Sequence, residues 1–165
     1  MGEAQATIVA CGGMKAVEYE NLHLTLKFLG EVEAAKLKTL KAALDGVKTS
    51  RYRVAVKGIG VFPNPGNPKV VWAGLEAGFN ETIALNKELD EYLTKLGFEP
   101  DDRFHPHITL ARAKGPTDKA RLNALIQASS ETVFGGYEAD KFILMESRLT
   151  PKGPIYTETA RFSLK

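Results

Sequence analysis

Cysteine is almost missing from this chain: Cys11 is the single one in 165 residues. No intrachain disulfide can form, a cysteine-based zinc module is excluded, and a reducing cytoplasm is the expected location. A charge surplus is missing too. Lys and Arg number 22 against 20 Asp and Glu, leaving +2, too little for a long electrostatic footprint on duplex nucleic acid, so any nucleic-acid contact is expected to be local. No run approaches the roughly 18 consecutive apolar residues that span a bilayer, and no membrane partner is expected. The opening MGEAQATIVACGGMK has no basic start and a poor apolar stretch for a secretory signal. Ala6 stands where a myristoylation site needs Ser or Thr. What is present, 44% hydrophobic and 25% charged residues, is the composition of one folded domain over residues 1–165.

Periodicity divides that domain into strands and helices. Ala16 to Glu20 and Leu22 to Leu29 read as extended, because Leu22, Leu24, Leu26 and Phe28 alternate with polar neighbours. Glu31 to Leu44 places Leu37, Leu40 and Leu44 on one helical stripe, with acids early and lysines late. Tyr52 to Lys57 and Val70 to Leu75 are predicted strands around the rigid turn FPNPGNP. Asn80 to Leu96 reads as a second long helix, with Ile83, Leu89, Leu93 and Leu96 near helical spacing and Gly97 as its stop. His107 to Ala111 returns to strand, and Thr117 is expected to cap a helix reaching Ala128, with Leu122, Leu125 and Ile126 inward. Ala139 to Leu149 and Ile155 to Leu164 are predicted to close the chain as a hairpin through TPKGP.

One short internal repeat stands out: LHLTLKF at 22–28 recurs as PHITLAR at 106–112. Each copy sits on a strand followed by a helix, which predicts two related halves facing one another across a cleft. Each copy also carries His-x-Thr. Residues i and i+2 of a strand project from one face about 6.5 to 7 Å apart, so His23 with Thr25, and His107 with Thr109, pair an imidazole with a hydroxyl. With twelve threonines in 165 residues, both coincidences together have odds of about 1 in 200 before the search itself is counted.

Such a quartet suits displacement at phosphorus. Imidazole changes charge in the neutral range, so one ring can take a proton from water while the other gives one to the departing oxygen. The hydroxyls can donate to the non-bridging phosphate oxygens. Neither a metal nor another cofactor is needed. A 2′,3′-cyclic phosphate fits well, since ring strain makes it reactive and only in-line water must be placed. Plainer readings stand beside this one. A lone strand histidine is usually a surface or hydrogen-bonded core residue. His105 and His107 form an HxH that could hold zinc from one strand face, although Pro106 intervenes and no acidic third ligand is near. His105 otherwise reads as a structural or substrate-contact neighbour. Lys27 shares the face of His23 and could neutralise phosphate, or it is a solvated lysine. Arg112 has the opposite parity from His107 and is left a supporting role. The competing functions are a zinc-dependent hydrolase and a non-catalytic module that binds RNA ends or nucleotides.

NLHLTLKFLGEV (21–32) and FHPHITLAR (104–112) closely resemble the two HxTx motifs of the 2H phosphoesterases, specifically the bacterial and archaeal RNA 2′,3′-cyclic phosphodiesterases historically called 2′-5′ RNA ligases. The resemblance runs from about Lys15 to the terminal SRLTPKGPIYTETARFSL. It implies a two-lobed, pseudo-symmetric α+β fold, with antiparallel sheets lining a central cleft and helices outside. On that likeness His23 is the proton donor and His107 the acceptor, Thr25 and Thr109 hold the phosphate, and the ring opens to a 2′-phosphate. Arg148 and Tyr156 resemble substrate-side residues of the family, against a surface charge and a core ring as the plainer readings. The implied partners are RNA ends, such as transfer RNA fragments, or small cyclic nucleotides. Relatives place a strand, a helix and a second strand before the first motif, which needs about 22 residues without any turns; 22 precede His23. The likeness therefore implies a missing opening strand. A monomer is expected, with association through an exposed sheet edge as the alternative.

Overall fold

The computed structural model describes residues 1–151 and 153–165. It is a mixed α+β fold, as expected, and its residues gather into two compact units, one of Met1–Thr25, Val54–Phe79 and Pro106–Tyr137, the other of Leu26–Arg53, Asn80–His105 and Glu138–Lys165. No helix among the described residues is long and apolar enough to cross a membrane.

The first unit is built on a five-stranded sheet in the order β1 (Met14–Ala16), β4 (Ile108–Ala113), β3 (Val70–Ala77), β2 (Tyr52–Phe62) and β5 (Val133–Ala139). The ladders of β1 with β4, β4 with β3 and β3 with β2 are antiparallel. Ile108 and Leu110 alternate along β4 with His107 and Thr109 and are buried, together with Ile8 of α1 (Gly2–Val9) and Leu122 of α4 (Lys119–Ala128). The buried amide of Gln5 on α1 donates to the carbonyls of Val17 and Leu110 at 2.7 and 2.9 Å. A polar side chain inside the protein is thereby satisfied by backbone acceptors.

Several predicted boundaries shift. Ala16 to Glu20 is not one extended segment: the strand ends at Ala16, and Tyr19–Asn21 form a 3₁₀ turn. The strand predicted to end at Lys57 continues to Phe62, with irregular register at Ala55/Val56 and Lys57/Ile59. β5 was not expected at all, because VFGGYEA carries two central glycines, which lower strand propensity. Close backbone approach is what requires one of them: a Cβ on Gly136 would lie 2.6 Å from the Val54 carbonyl oxygen.

The cap of α4 is also corrected. Asp118, not Thr117, is the N-cap, and its carboxylate accepts the Arg121 amide at 3.0 Å. Thr117 Oγ1 is buried with no hydrogen-bond partner among the described residues. Asp118 has the extended backbone of a cap, φ −67° and ψ 95°, which turns its side chain toward the Arg121 amide, and its negative charge also complements the helix dipole. Urea unfolding should show Asp118→Ala to be about 1 kcal/mol less stable, whereas Thr117→Val, which removes an unpaired buried hydroxyl, should be neutral or stabilising.

The second unit pairs a hairpin with two helices. β6 (Lys141–Thr150) and β7 (Gly153–Ser163) are antiparallel from Lys141↔Ser163 to Thr150↔Gly153. The predicted TPKGP turn includes Lys152, which lies outside the described residues. Phe142 and Phe162 face one another in register, with their rings stacked at 4.9 Å. They join a core of Leu40 and Leu44 from α2 (Leu37–Leu44) and Leu85, Leu89 and Leu93 from α3 (Phe79–Thr94). The helix predicted from Glu31 starts later than expected: Ala34–Lys36 form a 3₁₀ turn, and α-helix begins at Leu37. On α3 the buried stripe includes Leu85 and Asn86 rather than Ile83, and the Asn86 amide donates to the Leu26 carbonyl at 2.9 Å.

Candidate active site

The two His-x-Thr tripeptides lie in the same unit, not one in each, and are joined through their middle residues. Leu24 and Ile108 form an isolated antiparallel bridge. Carried one residue either way, that register sets His23 opposite Thr109 and Thr25 opposite His107. Side chains flanking a bridged pair emerge on the face opposite to it. Ile108 is buried at 5% exposure, so the register directs the imidazoles and hydroxyls that flank the bridge to the other, less buried face. The internal repeat is expressed as local antiparallel pairing about the Leu24–Ile108 bridge. The Leu22 to Leu29 segment is extended at this point but contributes no longer ladder.

Local structure orients each ring. Asn21 ends the 3₁₀ turn, Leu22 turns extended at φ −70°, ψ 119°, and the exposed His23 ring returns its Nδ1 to the Asn21 carbonyl at 2.7 Å. A carbonyl only accepts, so Nδ1 carries the hydrogen of this bond. His107 is half-buried just before β4. Its ring packs edge-on to Phe62, with centroids 5.1 Å apart and planes at 85°, and lies 6.2 Å from the Trp72 ring. Asn21, Phe62 and Trp72 were not singled out in the sequence. The strand pattern of Val70 to Leu75 makes Trp72 look like any core aromatic, and only the register Trp72↔Thr109 puts it beside the site.

The remaining candidates are spread over both units. Lys27, in the second, is neither solvated nor aimed at a ligand: its side chain is 8% exposed, and the ammonium is held by Asp90 Oδ1 at 2.5 Å and the Glu99 carbonyl at 2.6 Å. Asp90 Oδ2 in turn accepts the Asp101 amide at 2.9 Å. This arrangement favours a strut over a phosphate contact. Arg148, with its side chain 79% exposed, lies 3.9 Å from Glu146. In register it faces Ile155, while Tyr156 faces Ser147, so Arg148 and Tyr156 project from opposite faces of the hairpin. His105, half-buried, is the last residue before the buried Pro106. In the first unit, Arg112 is exposed opposite Lys15 and Val70; the register shift between Val71 and Trp72 skips Leu110, so Arg112 shares the face of Trp72 and Thr109 rather than that of Ile108, against its parity in the sequence. Among the described residues no three His, Cys, Asp or Glu gather as a metal site requires.

Two His-x-Thr tripeptides bridged at the edge of an antiparallel sheet are the mark of a phosphoesterase of the 2H kind, and comparison with known proteins agrees. A family model described as LigT like Phosphoesterase matches residues 3–72 and 75–156. The RNA 2′,3′-cyclic phosphodiesterase of Aeropyrum pernix is 39% identical over 144 residues, covering 87% of this chain and 82% of that protein. The TT0787 protein of Thermus thermophilus shares the fold with a TM-score of 0.82 at 34% identity, over 99% of this chain and 88% of that one. Escherichia coli LigT complexed with 3′-AMP has a TM-score of 0.71 at 27% identity, over 99% of this chain and 92% of that one. The chain belongs to the LigT-like phosphoesterase family.

Proposed function

We propose that the chain hydrolyses 2′,3′-cyclic phosphate ends of RNA to 2′-phosphomonoesters, without a metal, using His23 and His107 as an acid–base pair. The single observation that supports the reading is the antiparallel Leu24–Ile108 bridge, whose two residues are each the middle one of a His-x-Thr tripeptide. The relatives matched over most of their length are RNA 2′,3′-cyclic phosphodiesterases, and the chain is an enzyme of that kind.

Water attacks phosphorus and gives its proton to the His107 imidazole. The bond from phosphorus to the 3′-oxygen breaks, and that oxygen keeps the electron pair and takes a proton from His23 Nε2. Thr25 and Thr109 donate to the non-bridging oxygens, whose charge is largest midway through the displacement. The Asn21 carbonyl keeps His23 Nδ1 protonated, so delivery from Nε2 needs no change of tautomer. With the 5′-hydroxyl of a second RNA end attacking in place of water, the same groups open the ring at the 3′-oxygen and join the two ends through a 2′-5′ bond.

One incubation tests this reading. An oligonucleotide ending in a 2′,3′-cyclic phosphate, treated with the protein in excess chelator, is expected to gain the mass of one water and to retain phosphate on the 2′-oxygen. Unchanged substrate held in tight complex would make the protein a binding module; activity lost to chelator and restored by zinc would make it a metal hydrolase. One ring must be neutral while the other is protonated, so kcat/KM is also expected to be bell-shaped in pH.

A further inference from the structure

We propose that Trp72, seated flat on Gly60, is the stacking platform for the base of the substrate's terminal nucleotide. This deepens the reading above and rests on it for the identity of the ligand.

Trp72 is the direct partner of Thr109 on one side and of Gly60 on the other, and directly opposed residues of an antiparallel ladder share a face. A single row across the sheet therefore runs from His23 through Thr109 and Trp72 to Gly60. The indole does not stand away from this row. A Cβ built on Gly60 would lie 2.2 Å from Trp72 Cζ2 and 2.4 Å from Cη2, and one on Gly74 would lie 3.4 Å from Cζ3. Only glycine at position 60 lets the indole lie down across β2, with one π-face against backbone. Phe62, its ring 5.0 Å from that of Trp72 and tilted by 32°, props the edge nearer His107.

Both aromatics are half-buried, so part of the assembly reaches solvent next to the phosphate-handling groups. A core role alone does not account for this placement. Burial would be served by an aliphatic side chain, and no close backbone approach would be needed at residue 60. A rigid aromatic shelf one strand from Thr109, and 6.2 Å from the His107 ring, is within a nucleoside's reach of a phosphate held at His107 and Thr109. Stacking tolerates any base, because each has a π-face. An enzyme acting on RNA ends of varied sequence needs that tolerance. Single-stranded ends are recognised in this way because their terminal bases are free to splay.

The sequence supplies its own probe, since Trp72 is the only tryptophan and its fluorescence reports on the shelf alone. Titrating the unmodified protein with adenosine 2′-monophosphate should quench that emission saturably, over the concentrations at which the nucleotide inhibits turnover. Inorganic phosphate, which reaches the same imidazoles and hydroxyls but has no base, should not reproduce the quenching. Trp72→Ala should raise KM for a cyclic-phosphate oligonucleotide about tenfold or more while kcat falls by a smaller factor; Trp72→Phe should restore most of the loss. Gly60→Ala, which keeps the ring but lifts it, should resemble Trp72→Ala. Silent fluorescence at inhibitory nucleotide, an equal response to phosphate alone, or a Trp72→Ala loss confined to kcat would each overturn the platform. Turnover by the unmodified protein with any of these results would leave the hydrolase reading intact; absence of turnover would remove that reading while the titration still decided the platform.

Discussion

Replacing His107 with alanine is expected to lower kcat/KM for a 2′,3′-cyclic phosphate by about 10²- to 10⁴-fold, the usual worth of a positioned general base. His23→Ala should cost a similar factor as the loss of the general acid. The two act as a unit on one displacement, so the double variant should be little worse than either single one. Leaving-group chemistry separates the roles that family likeness assigns. A substrate whose 3′-oxygen is replaced by sulphur departs without protonation and should restore most of the activity of His23→Ala but none of that of His107→Ala. The reverse pattern would exchange the two assignments, and full activity in either single variant would end the acid–base proposal. Thr25→Val or Thr109→Val should each cost roughly 10²-fold, because a hydroxyl aimed at developing phosphate charge is lost while the imidazoles stay. Circular dichroism of each variant checks that the loss is chemical, since none of the four side chains is counted in the buried core.

The second large effect is on stability. Asp90→Ala leaves the Lys27 ammonium, on a side chain 8% exposed, with only the Glu99 carbonyl, and strips the Asp101 amide of its acceptor. Uncompensated burial of a charge typically costs about 3–5 kcal/mol, and a drop of that order is expected in chemical denaturation. Removing both charges together, as in Lys27→Met with Asp90→Leu, should recover much of the loss, because the desolvation penalty disappears with the pair. The same series decides what Lys27 does. A strut predicts that Lys27→Met unfolds at lower denaturant yet, while folded, binds cyclic phosphate with unchanged KM. A rise in KM in the folded variant would return Lys27 to the phosphate.

The Lys27 case shows why parity alone was a poor guide. In the sequence, Lys27 stands two residues from Thr25 and four from His23, so a regular strand would put all three on one face. The chain is not a regular strand there. Only Leu24 bridges to a neighbour, and from Leu26 the segment packs into a different unit, where Asp90, 63 positions away, waits for the ammonium. Charge pairing across such a separation leaves no local mark. Thr117 and Asp118 were misread for a milder reason: both are good cap residues, and backbone dihedrals that only the folded loop sets decide which one reaches Arg121. β5 was hidden by its glycines, whose value appears only when β2 comes close enough to forbid a Cβ.

The four residues on which the chemistry is proposed to rest were legible without coordinates. Two His-x-Thr copies in a short chain are improbable, and the chemistry of imidazole and hydroxyl is carried by the residue types themselves. Helices α3 and α4 and the closing hairpin were equally legible, because periodicity and turn residues are local properties of a sequence. Tertiary structure alone decided that the two motifs are bridged through Leu24 and Ile108, that Lys27 is pinned by Asp90, and that Trp72 lies on Gly60 beside Thr109. The physical reason is common to all three. Strand register, buried charge pairing and close backbone approach are relations between distant parts of the chain, and they come into being only when folding brings those parts together.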